Sequence, residues 1–207
     1  MNIIAIEQLV IPEVKVLKIK RYMDKRGYFT EVFRQDKLVN NPDLPSLENK
    51  QFIQINESIS AKGVVRGLHT QCQPNLDKVL RILRGKIIDI AVDIRPTSAT
   101  FGKAVTKKLS YNPQDDFEEM ILVPFGFAHG IIVVEDCHIQ YFQTGLWNKE
   151  GETTITLSDP AIDWSSDEEN TKAAIQVALT NGIISEKDQS GLTLEAFKAL
   201  PIAEFYR

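Results

Sequence analysis

The chain has 207 residues, enough for one domain that buries about 70% of the surface its unfolded chain exposes, so no disulfide or metal staple is needed to close the core. Its 24 lysines and arginines against 28 aspartates and glutamates give a net charge of −4, which argues against a nucleic-acid partner held by phosphate neutralisation. The N-terminus lacks a signal-peptide pattern, no run has the length of a membrane span, and Cys72 and Cys137 form no CxxC pair. The expectation is a reduced, cytoplasmic protein with no nucleic-acid or membrane partner.

From Val14 to Lys20 apolar and charged residues alternate, the period of a half-buried strand. The next segment opens on a turn signal at Lys25-Arg26-Gly27 and continues to Phe33 as an aromatic-rich strand. Residues 34–50 carry Pro42 and Pro45 and read as a loop, with one helical turn near 35–39. Short apolar runs broken by glycine then follow at 51–56, 63–70, 78–83, 86–94 and 103–109. Strands so short and so many predict a sandwich or barrel rather than βαβ units. Within 86–94, Asp89, Ala91 and Asp93 share one face while Ile88, Ile90, Val92 and Ile94 share the other, so two carboxylates point either to solvent or into a polar barrel interior. Residues 120–134 read as strand, tight turn, strand; 138–144 as another alternating strand; 145–164 as an irregular connection. Helical spacing is confined to the tail, over 166–179 and 193–200, with Thr193 as N-cap of the second segment.

The chemistry concentrates in Gly63-Val64-Val65-Arg66-Gly67-Leu68-His69-Thr70-Gln71 and Lys78, in a chain with three histidines. Metal-binding β-barrels commonly use two histidines one residue apart, but Gly67 and Gln71 flank His69 at that spacing, so no metal is expected. An imidazole, an amine and a phenol in one cavity suit proton abstraction next to a carbonyl: the imidazole titrates near neutrality, and a lysine can stabilise the enolate.

Val65-Arg66-Gly67-Leu68-His69-Thr70-Gln71, Lys78-Val79-Leu80-Arg81, the run from Gly85 to Arg95, Ser98-Ala99-Thr100-Phe101-Gly102 and Pro124-Phe125-Gly126-Phe127-Ala128-His129-Gly130 together resemble the dTDP-4-dehydrorhamnose 3,5-epimerase family, and Asp24-Lys25-Arg26-Gly27-Tyr28-Phe29 resembles its N-terminal arm. The resemblance implies an all-β cupin jelly roll (double-stranded β-helix) with short C-terminal helices. It implies one domain over 1–207, with N-terminal strands and a dimer arm in 1–50, the jelly-roll core in 51–164 and a helical segment in 165–207.

It further implies an isomerase without cofactor or metal, acting on a nucleotide-linked 4-keto-6-deoxyhexose, dTDP-4-dehydro-6-deoxy-D-glucose, in deoxysugar supply for a surface polysaccharide or natural product. Residue by residue, His69 matches the base, Lys78 the group near the keto oxygen, Tyr141 the acid on the opposite face, and Asp188 the carboxylate paired with the base. Arg26, Phe29, Glu31, Gln54, Asn56, Arg66 and His129 match substrate-binding positions, with Arg26 and its neighbours reaching into the partner subunit of a homodimer that shares N-terminal strands. Trp147 stands where the family has a second tyrosine and offers a larger surface for stacking a base. Phe125 replaces the family's glutamate, Leu157-Ser158 its Trp-Asn, and an added helical segment precedes Asp188. A mono-epimerase, a 3,4-ketoisomerase, a metal-dependent cupin and a purely sugar-binding cupin stay open at this point, as do the nucleotide and the choice between C3 and C5.

Overall fold

The computed structural model describes residues 1–166 and 169–206. In chain order it forms β1 (Ile3–Gln8), β2 (Lys15–Lys20), β3 (Tyr22–Asp24), β4 (Gly27–Phe29), α1 (Gln35–Val39), β5 (Gln54–Ser60), β6 (Val64–Gln71), β7 (Lys78–Asp93), β8 (Ala104–Ser110), β9 (Phe117–Val123) and β10 (Phe127–Gln143). β11 (Glu152–Thr154), α2 (Glu169–Asn181), β12 (Ile183–Ile184), α3 (Glu186–Gln189) and α4 (Leu194–Lys198) complete it, with 3₁₀ turns at Pro45–Leu47 and Pro201–Tyr206.

Two long strands organise the fold. β7 and β10 pair antiparallel from Asp93 opposite Phe127 to Lys78 opposite Gln143, with irregularities around Glu135 and His138. The bend falls at Gly85, whose φ is +83° and where a Cβ would lie 2.2 Å from the Asp136 carbonyl oxygen, so only glycine fits. On one side of the bend, β7 pairs with β9 and β10 with β5; on the other, β7 pairs with β8 and β10 with β6. Each long strand therefore serves two sheets, which face one another as the jelly roll requires. β1 and β2 extend the first sheet beyond β9, and β11 and β12 flank β6 in the second.

Strand alternation sorts the side chains into three layers. Ile87, Ala91, Val105, Leu80, Ile121, Ile131 and Ile139 fill the space between the sheets. Ile88, Ile90, Val92 and Ile94 face outward under the C-terminal elements, meeting Ile175, Leu194, Phe197 and Tyr206. The opposite outer face is covered by the N-terminal segment through Leu38, Leu44 and Leu47 on Leu17, Val79 and Phe142. Phe125 stacks on Tyr206 with ring centres 4.6 Å apart, so this departure from the family pattern anchors the C-terminus to the barrel's outside.

The all-β expectation holds, and so does the helical tail: Thr193 caps α4, its hydroxyl accepting from the Ala196 N–H. The residues expected at 167 and 168 in the first tail helix lie outside the described residues. Several boundaries differ. The runs at 78–83 and 86–94 are one strand, as are 127–134 and 138–144, because pairing continues through the glycine and the bulges. The expected aromatic strand to Phe33 is a short hairpin of β3 and β4 ending at Phe29. β1 and β11 had no predicted counterpart. Asp89 and Asp93 are both fully buried, but they serve different ends: Asp93 accepts from Arg95, Ser98 and Thr100 in the following loop, while Asp89 faces the interior.

Candidate active site

Between the two sheets lies a cavity of about 570 Å³. β6 delivers His69 from one sheet; β7 and β10 deliver Lys78 and Tyr141 from the other, where Lys78 pairs with Gln143 and Tyr141 with Leu80. The bend at Gly85 is thus what sets imidazole and phenol on facing walls. β6 and β10 come together at the two histidines, His69 directly opposite His129. Close beside them Gly67 and Gly130 meet, and a Cβ on Gly67 would lie 2.6 Å from the Gly130 Cα, so the two strands approach where side chains would keep them apart.

Asp188 arrives by a separate route. β12 runs parallel to β6 at Val64 and Val65, and Ser185 then caps α3, its hydroxyl accepting from the Asp188 N–H at 3.2 Å. This places Asp188 Oδ1 2.6 Å from His69 Nε2, with Oδ2 receiving the Gly67 N–H at 3.3 Å. Burial pushes the Asp188 carboxyl up, but the hydrogen bond and charge of His69, with Gly67 and Ser185, outweigh it and hold the group below the usual aspartate value. A carboxylate at Nε2 favours the tautomer with a proton on that nitrogen, leaving Nδ1 as the basic atom.

Lys78 keeps a partly open surface on the cavity wall, yet desolvation lowers its pKa from 10.5 to about 8, against the opposing pull of Glu152 and Asp89. His129 Nε2 lies 2.9 Å from Asp89 Oδ2, deep in the barrel. Among the described residues, no three histidine, cysteine, aspartate or glutamate side chains converge as a metal site would require.

The cavity's polar end is a chain of amides. Gln54 donates to Asn56 at 2.9 Å, Asn56 donates to Gln143 at 3.0 Å, and the Trp147 N–H donates to Gln54 at 3.0 Å. Of the twelve residues carried over by resemblance, His69, Lys78, Tyr141, Asp188, Asn56, Arg66, His129 and Trp147 line the cavity, and Gln54 stands behind Asn56 and Trp147. Arg26, Phe29 and Glu31 do not line it. Arg26 pairs with Asp24 at 2.6 Å, Phe29 is 69% exposed and Glu31 pairs with the N-terminal amine.

The family profile described as dTDP-4-dehydrorhamnose 3,5-epimerase matches residues 8–196. The chain belongs to this epimerase family. It is 36% identical over 200 residues to the dTDP-4-dehydrorhamnose 3,5-epimerase of Escherichia coli K12, spanning 94% of this chain and 95% of that one. To the Methanothermobacter thermautotrophicus enzyme of the same name it is 36% identical over 178 residues, 84% of this chain and 86% of that one. Among solved structures, the dTDP-6-deoxy-D-glucose-3,5-epimerase of Legionella pneumophila, in complex with dTDP-4-keto-L-rhamnose, superposes with a TM-score of 0.77 at 34% identity, covering 97% of this chain and 96% of that chain.

The epimerase's cavity also holds residues that sequence reasoning passed over. Glu152 and Lys187 both line it and pair at 2.5 Å. Burial pushes the Glu152 carboxyl up, but Lys187, with the charge of His69 and a hydrogen bond from Trp147, holds it below the usual glutamate value. Gln71, Gln143, Ser58 and Ser185 line the wall as well. Spacing carried a signal for two of these: Gln71 follows His69 at i+2 on one strand face, and Lys187 precedes Asp188. Glu152 lies in a stretch read as irregular and had none.

Proposed function

We propose that this epimerase converts dTDP-4-dehydro-6-deoxy-D-glucose to dTDP-4-dehydro-L-rhamnose by inverting C3 and C5. The observation that carries the reading is the His69–Asp188 pair at 2.6 Å on one wall of a cavity whose other wall bears Tyr141 and Lys78. The C4 ketone acidifies the hydrogens on both adjacent carbons. His69 Nδ1 takes one of them, and the electron pair moves through the new C=C bond onto the C4 oxygen, where the Lys78 ammonium stabilises the enolate. Tyr141 gives its phenolic proton to the opposite face of the same carbon, which inverts the centre. His69 then releases its proton and Tyr141 regains one, so the cycle consumes nothing.

Asn56 and Arg66 bind the nucleotide-sugar, Gln54 supports Asn56, and Trp147 stacks the nucleobase. His129, held by Asp89, polarises the substrate rather than acting as base. The chain works as a single domain in which 51–164 forms the core, 1–50 carries N-terminal strands and a dimer arm, and 165–207 a helical segment. Arg26, Phe29 and Glu31 complete the site of a second copy; the exposed Tyr22, Met23 and Phe29 on the hairpin and Ile55 and Ile59 on β5 support such an interface. A buried, unpaired Cys72 and Cys137 suit a reducing cytoplasm, and no described helix is long and apolar enough to cross a membrane.

Incubation with dTDP-4-dehydro-6-deoxy-D-glucose in heavy water tests the reaction. Deuterium at both C3 and C5 with an L-configured product is the expected result; deuterium at one carbon alone would make the enzyme a mono-epimerase, and a displaced carbonyl would make it a ketoisomerase.

A further inference from the structure

Trp147 sits in an open loop, 55% exposed beside Leu146 at 58%, and its side chain hydrogen-bonds to Glu152. Even so, its backbone is fixed from three sides. Gln71 Nε2 donates to the Leu146 carbonyl at 3.0 Å, and the Asn148 N–H donates to Gln71 Oε1 at 2.8 Å, so a single carboxamide brackets the tryptophan before and after. The same Nε2 donates to the Pro74 carbonyl at 3.2 Å, and the Trp147 N–H goes to Gln54. Gln71 is 3% exposed, and a buried amide with both its donor and acceptor engaged is costly to disturb. The loop's return is also tied, the Cys72 N–H donating to Gly151 O at 3.1 Å.

Gln71 lies two residues beyond His69 on β6, and both line the cavity. One strand therefore carries the imidazole and a carboxamide that holds the backbone on either side of the tryptophan.

We propose that Gln71 is a positioning residue for nucleotide binding, acting through Trp147: its carboxamide holds residues 146–148 so that the indole is preset at a fixed offset from His69. The inference rests on the reading of Trp147 as the nucleobase platform. A preset ring binds the base without first ordering its loop, so loss of Gln71 weakens the nucleotide's hold and leaves the proton transfers nearly intact.

The test compares Trp147→Ala, Gln71→Met, which keeps the side chain's volume while removing its hydrogen bonds, Gln71→Glu, which keeps only the acceptor for Asn148, and the Trp147→Ala/Gln71→Met double variant. Affinity for dTDP is measured by calorimetry, and kcat and KM with the nucleotide-sugar. Trp147→Ala should weaken dTDP binding about 5- to 150-fold, the range spanned by stacking of one base. Gln71→Met should weaken it about 5- to 20-fold with a much smaller change in kcat, Gln71→Glu, which sets a buried carboxylate oxygen against the Pro74 and Leu146 carbonyls, should weaken it at least as much, and Gln71→Met should add almost nothing in the Trp147→Ala background. Equal effects of Gln71→Met in both backgrounds, or a loss confined to kcat, would overturn the proposal, since Gln71 would then act on the fold or on His69. If Trp147→Ala leaves dTDP affinity unchanged, the platform reading itself fails and the role of Gln71 with it.

Discussion

At the scale of single residues, His69 takes its orientation from placement. Its Nε2 faces a buried carboxylate, so Asp188→Asn should cost about 10- to 100-fold in kcat with little change in KM, the usual effect of losing a histidine's orienting partner. Steady-state kinetics of the purified variant checks this. Lys78 gives a second, pH-dependent expectation. Its folded pKa of about 8 lies below the 10.5 of an unburied lysine, so between those values the unfolded chain binds the extra proton and stability rises with pH; below about 8 the burial cost is fully present. Lys78→Met should therefore raise the melting temperature at pH 7 and lose that gain as pH approaches 10. Activity should move the other way: kcat of the native enzyme falls as Lys78 loses its proton above about pH 8, and the residual activity of Lys78→Met lacks that alkaline limb. Thermal melts and a pH profile of both proteins decide the point. His69, Lys78 and Arg66 were legible in the sequence because their spacing survives as a motif on two strands. Glu152 was not, because a three-residue strand gives no periodicity and its partner Lys187 is 35 residues away.

At the scale of elements, the chemistry depends on two strands that change sheet midway. Gly85 is the hinge of that change, and alanine there would bring a Cβ into backbone at a positive φ. Gly85→Ala should destabilise the fold by about 1–3 kcal/mol, seen as a lower midpoint in chemical denaturation, with losses of activity that follow the loss of folded protein. From sequence alone this glycine reads as a turn between two strands, since glycine marks a turn and a bent strand with the same letter. The alternation on either side was still informative, placing Asp89 on the face opposite Ile88 and Ile90. Which face was interior could not be read locally, because both faces of β7 are buried, one by the opposing sheet and the other by the C-terminal helices and Tyr206. Asp188 shows the same limit from the other direction. Its approach to His69 spans 119 residues of sequence and rests on a two-residue parallel strand, a contact that only the assembled fold defines.

At the scale of the whole molecule, three of the twelve residues expected to act on substrate stand apart from the cavity of their own chain. If the hairpin carrying Arg26 and Phe29 serves a second copy, a site is built from two chains and can be repaired between them. His69→Ala and Arg26→Ala/Phe29→Ala proteins, each nearly inactive, should regain activity when unfolded and refolded together, since a mixed dimer holds one intact site. Refolded mixtures that stay at the sum of the separate activities would mean that each chain's site is self-sufficient. Recovery of activity in such mixtures, with a dimer mass by light scattering, is the expected outcome.

In the proposed reaction one carbon-bound proton leaves to His69 and another returns from Tyr141 on the opposite face. Its most direct test is deuterium incorporation from heavy water into dTDP-4-dehydro-6-deoxy-D-glucose, followed by NMR for the His69→Ala and Tyr141→Phe enzymes. His69→Ala should abolish both exchange and inversion, whereas Tyr141→Phe should still exchange hydrogen for deuterium through His69 but return it to the same face, leaving the D-configured sugar. Inversion that persists in Tyr141→Phe, or exchange that persists in His69→Ala, would contradict the proposed reaction.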